Sequence, residues 1–292
     1  MNGKIIVAIG ILLLSVIIYT AYRSREQSYM AMFEFPVYVP AKIAPKQRGN
    51  TPQKIPYTVI RSFATNRVSG LFDEAVNSMY KMNPEYEHVF FSDDDCAQFM
   101  YTNFPGRISN AYDKLIPGAY KGDLFRICYL YKHGGVYLDL NKTLKSPLRK
   151  VIDNNYDLVT VIDLGSCCVW QAFLACKPGL PVIWECIMKC VENIENEYYG
   201  VNSLDITGPM MMGRVFKQYY GECVKYPGVY RKKGELIKLL YHAGDYSKDE
   251  NNDEIIDLNN RIRSKMVKTW EKQTSLPHYG VLYEQKRVFK KN

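Results

Sequence analysis

Two short runs carry residue types that suit catalysis. Asp123 and Arg126 stand three apart in Gly122-Asp123-Leu124-Phe125-Arg126. On a helix, that spacing puts a carboxylate and a guanidinium on one face. Further on, Gly134-Gly135 precede the apolar run Val136-Tyr137-Leu138, and Asp139 and Asn141 close it. On an extended chain, residues two apart point the same way. Asp139 and Asn141 then offer two oxygen ligands to one hard cation, Mn2+ or Mg2+, which keeps positions open for phosphate oxygens. Each piece also has an ordinary reading. An Asp and Arg three apart on a helix commonly form a surface ion pair, a lone DxN is frequent, and a glycine pair can simply stop a helix. The ordered set is what points to a site.

The elements around these runs follow from patterning. Ile55 to Ile60 reads as a first buried strand. A helix capped by Ser69 runs to about Lys81 and stops at Asn83-Pro84. His88 to Phe91 reads as a second strand, and Ser92 caps a helix to about Tyr101. Lys121 to Lys132 reads as the helix that presents Asp123 and Arg126. Val136 to Leu140 and Asp157 to Asp163 read as strands, and Pro181 to about Glu195 as a helix. Strand and helix alternate, so an α/β sheet with mostly parallel strands is expected. In such a sheet Asp139 stands at the C-terminal edge, where ligands bind. Residues 247–263 read as a loop or an exposed helix. The last eight residues, four of them basic, read as a solvated tail.

The N-terminus has a different character. Ile5 to Tyr22 is uncharged and apolar, and as a helix spans about 27 Å, close to the bilayer core. No small-x-small cleavage pattern follows Tyr22, so an uncleaved anchor is expected. Lys4 with the α-amine faces Arg23 and Arg25, which leaves the orientation open. Residues 23–53, with Pro36, Pro40, Pro45 and Pro52, read as a stem, and 54–292 as the catalytic domain. The chain is then a single-pass membrane protein of an endomembrane, whether ER- or Golgi-type or that of an infected host.

Composition excludes some classes. With 47% hydrophobic and 23% charged residues, the chain is neither disordered nor a coiled coil. The net charge of +8 suits an anionic surface or a phosphate-bearing substrate, but the basic residues are dispersed, and no nucleic-acid role is expected. None of the eight cysteines forms a CxxC pair, which argues against structural zinc, and most read as small buried hydrophobes. The sequon Asn141-Lys142-Thr143 overlaps the proposed site, and a glycan there would block it.

The segment from Asp123 to Asn141 resembles the DXD sugar transferases of glycosyltransferase family 32, the initiating mannosyltransferase-like enzymes, and more distantly the clostridial glucosylating toxins. Their pattern is a helical D-x-x-R, then L-Y-x-x-GG-x-Y-x-D-x-D. Here Asp123, Arg126, Leu130-Tyr131, Gly134-Gly135, Tyr137, Asp139 and Asn141 keep order and spacing. Ile55-Pro56 with Phe63, Asn83-Pro84 through Asp93-Asp94, and Thr207-Gly208-Pro209 are similar to weaker family segments, so the likeness covers roughly 55–215. It implies a GT-A fold, a UDP- or GDP-sugar donor, Mn2+ or Mg2+, a glycan or glycoprotein acceptor, and retention at the anomeric carbon. Asp123 and Arg126 would bind the donor sugar and diphosphate side, and Tyr137 would lie near the ribose. Asp139 would touch ribose and metal. Asn141 would take a metal position, and Phe63 would pack on the base in place of the usual Trp. A late His near metal and diphosphate is expected at His278, ahead of His242.

Asn141 departs from the family pattern, because an amide removes one negative charge from the motif. The alternative is therefore a tethered nucleotide-sugar or glycan-binding module without activity. A haloacid-dehalogenase-like phosphotransferase is a poorer fit, because its chemistry needs an acid where Asn141 stands. The reading adopted is a membrane-anchored, metal-dependent retaining glycosyltransferase.

Overall fold

The structure is a computed structural model that describes residues 14–20, 36–47, 52–163, 167–222, 226–258 and 277–291, together with 265 and 268. Its centre is three neighbouring strands: β3 (Thr58–Ser62), β5 (Glu87–Phe91) and β6 (Gly135–Leu138). β3 lies between the other two and is parallel to both, so the three C-terminal ends share one edge. Phe63, Ser92-Asp93 and Asp139 leave the sheet there. β5 ends in a capping box. Ser92 Oγ accepts from Asp95 N at 3.2 Å, and Asp95 Oδ2 accepts from Ser92 N at 2.9 Å, which starts helix Asp93–Asn103.

Helix Gly118–His133 precedes β6 and carries the D-x-x-R pair. It turns into β6 at Gly134-Gly135, both with positive φ, +66° and +105°. The approach is close. A Cβ on Gly134 would lie 2.7 Å from Pro178 Cδ, and one on Gly135 would lie 2.7 Å from Thr58 O. The glycine pair is thus what seats β6 against β3, beyond stopping the helix. The reversal also brings the helix start back to the edge where β6 ends.

The sheet is mixed, which corrects the expectation of mostly parallel strands. Its path is β2 (Lys42–Ile43), β5, β3, β6, β9 (Val169–Cys176), β8 (Leu158–Ile162), β11 (Glu235–Ala243), β12 (Tyr246–Lys248), β13 (Glu254–Asp257) and β7 (Thr143–Leu144). β10 (Gly228–Lys232) flanks β11 off this path. β9 is antiparallel to both β6 and β8. β8 is buried along its whole length, so its apolar run reads the same whatever the direction of its neighbours. A short connection to β9 closes a hairpin, where a parallel pair would need a crossover.

Three further expectations are corrected. β1 (Val37–Tyr38) pairs with β4 (Arg67–Val68), β2 pairs with β5, and Val39 is buried, so residues 36–47 belong to the fold and not to a stem. Residues 246–248 and 254–257 are sheet strands, where a loop or exposed helix was expected. The C-terminal tail is packed. Val288 and Phe289 are buried, Ile116 N donates to Val288 O, and Lys290 N to Lys114 O. Apolar Val288 and Phe289 outweigh their basic neighbours.

Most of the apolar segment 5–22 lies outside the described residues. Residues 14–20 are helical and exposed, and among the described residues no helix is long and apolar enough to cross a membrane. Cys96, Cys128, Cys168, Cys176, Cys186 and Cys190 are buried, as expected, whereas Cys167 is in a disulfide.

Gly135→Ala should destabilise the fold by at least about 2 kcal/mol, because it combines a positive φ with a backbone clash. Urea unfolding of the full chain reads this directly, and a change under about 0.5 kcal/mol, the range of neutral surface substitutions, would show that the turn relaxes freely.

Candidate donor-binding site

Arg126 is the centre of the site. Its side chain is only 10% exposed, and each part of its guanidinium has a partner. Nε donates to Gly122 O at 3.1 Å, and Nη1 donates to Gln171 O at 3.0 Å. Nη2 lies 3.4 Å from Asp123 Oδ1, and Nη1 lies 3.4 Å from Asp139 Oδ1. The group also stacks over the Tyr137 ring, 4.4 Å from its centroid. Burial disfavours its charge, but Tyr137, Asp139 and Asp123 outweigh that and raise its pKa. Helix and strand are thereby joined through one fixed cation.

Asp139 follows β6 directly. Its backbone N–H donates to Ala172 O on β9 at 2.9 Å, and its Oδ1 accepts from Tyr137 OH at 3.0 Å. Tyr137 OH in turn lies 3.3 Å from Ser62 Oγ. Asp139 and Asn141 do not continue the strand. Lys142 N donates to Asp139 O at 3.0 Å, closing a turn over 139–142. The expected extended spacing is corrected to a turn with Leu140 and Asn141 at its centre. Both Asp139 and Asn141 nevertheless line the same cavity.

That cavity, of about 290 Å3, opens on the shared strand edge. Phe63, Arg126, Tyr137, Asp139, Asn141 and His278 all line it, so six of the seven expected site residues converge. Phe63 packs on Phe72, with ring centroids 5.2 Å apart, at an apolar end of the cavity. Asp123 is the seventh and stands one layer behind Arg126. It accepts from Thr207 Oγ1 at 2.8 Å. Burial pushes its carboxyl up to about 6, against Arg126 and Thr207, which favour its charge. His242 is elsewhere, with Nδ1 3.5 Å from Asp163 Oδ1.

His278 caps helix Tyr279–Glu284, with Nδ1 accepting from Gly280 N–H at 3.2 Å. A ring nitrogen that accepts carries no proton, so in the neutral ring the proton is on Nε2. Among the described residues no three His, Cys, Asp or Glu side chains gather as a metal cage. The oxygen donors of Asp139 and Asn141 still fit a hard cation that completes its shell with phosphate oxygens.

Several contributors were not singled out from the sequence. Gln171 Nε2 donates to Thr207 O at 2.9 Å and ties the Asp123 partner to β9. Ser62, Asp93, Cys96 and Tyr112 line the cavity, and Arg61 lies buried beneath the turn. Ser62 ends β3 and Asp93 stands two residues past β5, so position at the parallel strand edge was the signal for both, and Asp93 also lies in the family-like segment ending at Asp93-Asp94.

Comparison with known proteins picks out the same stretch of sequence. Residues 70–158, which span the helix, the glycine pair and the turn, match the family described as "Glycosyltransferase sugar-binding region containing DXD motif". Over this segment the chain is similar to that family. Inositol phosphoceramide mannosyltransferase 3 of Schizosaccharomyces pombe is 31% identical over 100 residues, 33% of this chain and 28% of that protein. Inositol phosphoceramide mannosyltransferase 2 of the same yeast is 22% identical over 189 residues, 64% of this chain and 53% of that protein. The chain thus spans between about a quarter and a half of the length of these curated relatives. A solved structure titled PaToxG Glycosyltransferase superposes with a TM-score of 0.44 at 15% identity, over 57% of this chain and 70% of that one. The matched segment 70–158 holds every expected site residue except Phe63 and His278, which reach the cavity from outside it.

The raised pKa of Asp123 makes stability depend on pH. Its folded value of about 6 lies above the unfolded one near 3.9. The neutral form therefore favours folding at low pH, and that contribution is lost as pH rises from about 4 through 6. Asp123→Asn should remove a decline of about 2–3 kcal/mol over this window. Unfolding free energies at pH 4, 5, 6 and 7 check it, and parallel profiles for the two proteins would count against a buried, raised carboxyl.

Proposed function

We propose that the chain is a retaining glycosyltransferase of GT-A type that moves a sugar from a UDP- or GDP-sugar to a glycan or glycoprotein acceptor. One observation carries the reading: Phe63, Arg126, Tyr137, Asp139, Asn141 and His278 face a single cavity at the parallel strand edge. The alternating ends of that cavity suit the parts of such a donor. The base packs on Phe63, and the diphosphate lies toward Arg126 and the 139–142 turn. Arg126 offers a fixed positive charge to the leaving diphosphate. Asp123 orients Arg126 from behind and does not line the cavity, so the donor-sugar role expected for it is not assigned.

Asp139 and Asn141 would hold Mn2+ or Mg2+, which when bound would supply charge neutralisation on the leaving nucleoside diphosphate. His278, with Nδ1 occupied as a helix cap, presents an N–H, so we assign it to a diphosphate oxygen in place of a metal position. No side chain is assigned as a base, since in retaining transfer the departing phosphate can take the acceptor proton. We further propose residues 5–22 as a membrane anchor, on their length and lack of charge. The names of the yeast relatives put a mannosyl donor first among the sugars to test, and an inositol phosphoceramide lipid among the acceptors.

Asn141 favours the second reading, a binding module without turnover. The two separate in one assay on the full chain in detergent, with GDP-mannose, UDP-glucose and related donors in Mn2+. A transferase releases free sugar slowly without acceptor, and Asp139→Ala should lower that release about 100-fold or more. Asn141→Asp should tighten Mn2+ dependence about tenfold, the effect of about 1.4 kcal/mol. Donor binding with no release, with or without a panel of glycan and lipid acceptors, would leave the binding module. No binding of any donor would end both readings.

A further inference from the structure

Arg61 is a second buried guanidinium, and the donor reading does not use it. It stands on β3 and is 3% exposed. Nη1 donates to Ala75 O at 3.0 Å, and Nη2 to Lys142 O at 3.1 Å. Its Nε is buried with no hydrogen-bond partner, and no carboxylate lies in ion-pair contact with it among the described residues. A buried cation held by two carbonyls is costly. Burial lowers its pKa to about 10, against the electrostatic pull of Tyr80, Tyr137 and Asp139. Packing alone would be served by an apolar side chain of similar size, so the position calls for another explanation.

The two carbonyls supply one. Ala75 belongs to helix Asp73–Met82, whose interior residues are buried in the fold. Lys142 is the last residue of the turn that carries Asp139 and Asn141. Its N–H closes that turn on Asp139 O, and its Nζ donates to Leu258 O at 2.7 Å. Lys142 is therefore held at its amide, its carbonyl and its side chain, and Arg61 makes the carbonyl attachment. A turn has no strand neighbours to fix it along its length, so its shape depends on such anchors.

We propose that Arg61 is a positioning residue that ties the 139–142 turn to helix Asp73–Met82, and so sets the separation of the Asp139 and Asn141 oxygens. The proposal rests on the donor reading above. Two donors of one planar fork span the two carbonyls at once, and a lysine ammonium at the end of a flexible stem does not reproduce that geometry. The positive charge also lies on the protein side of the turn, where it adds to Arg126 in favouring a diphosphate over a bare dication.

The test uses the full chain in detergent with Mn2+ and either GDP or UDP. The electron paramagnetic resonance signal of free Mn2+ counts the unbound ion, so no turnover is needed. Arg61→Lys should weaken Mn2+ binding in the presence of the nucleotide by about 10–100-fold, as for partners that orient metal ligands. GDP or UDP affinity without metal should stay as in the wild type, and unfolding should remain cooperative. Should Arg61→Lys not fold, Lys142→Met loosens the same turn from its other side and carries the same expectation. A lowered melting temperature with unchanged Mn2+ affinity would overturn the proposal and make Arg61 a packing element. Equal losses with and without metal would also overturn it. If the wild type binds no Mn2+ with either nucleotide, the donor reading fails first, and the role of Arg61 with it.

Discussion

A buried guanidinium is tolerable only where its donors and its charge are both answered, and Arg126 is answered from three elements. Gly122 and Asp123 belong to its own helix, Gln171 to β9, and Tyr137 and Asp139 to β6 and its end. Removing any one partner leaves desolvated charge behind, which costs far more than a surface pair contributes. The arrangement therefore locks helix, strand and hairpin into one geometry. On the proposed donor reading that geometry would also suit a diphosphate, since the cation stays at the cavity wall and does not have to be gathered when the ligand arrives.

Everything else in the centre of the fold serves that meeting. Gly134 and Gly135 let the helix reverse tightly enough to bring Arg126 beside Asp139. The parallel pairing of β3 with β5 and β6 lines up three strand ends, so Phe63, Asp93 and Asp139 share one cavity. β9, antiparallel in the middle of the sheet, contributes the carbonyls of Gln171 and Ala172. The C-terminal segment closes the far side through His278, Tyr279 and Leu282. Residues distant in sequence are thus collected by strand order and turns.

How much of this was legible in the sequence depended on whether the signal was local. The D-x-x-R helix, the glycine pair, the apolar strand and its terminal Asp139 lie within twenty residues and follow from spacing and turn chemistry. Ser92 and Asp95 announced a helix start that the capping box bears out. Helix Pro181–Glu195 kept the bounds read from its N-terminal proline and apolar period. Strand direction was not legible, because β8 is buried on both faces and carries no alternation. The packing of residues 36–47 and 288–289 was hidden by prolines and lysines around a few apolar side chains. Gln171 and Arg61 were missed for the same reason, as was the contact of Thr207 with Asp123. Each acts through a partner more than thirty residues away, or through a backbone carbonyl, and neither leaves a spacing pattern.

The most direct test of the account is calorimetric binding of GDP and UDP to the full chain, with and without Mn2+, beside Arg126→Lys. If the buried guanidinium organises a nucleoside-diphosphate site, one nucleotide binds the wild type more tightly with Mn2+. Arg126→Lys, which keeps the charge but loses the fork, then loses most of that affinity while still unfolding cooperatively. Equal affinity in the two proteins would contradict the account and reduce Arg126 to a structural ion pair inside an α/β sheet.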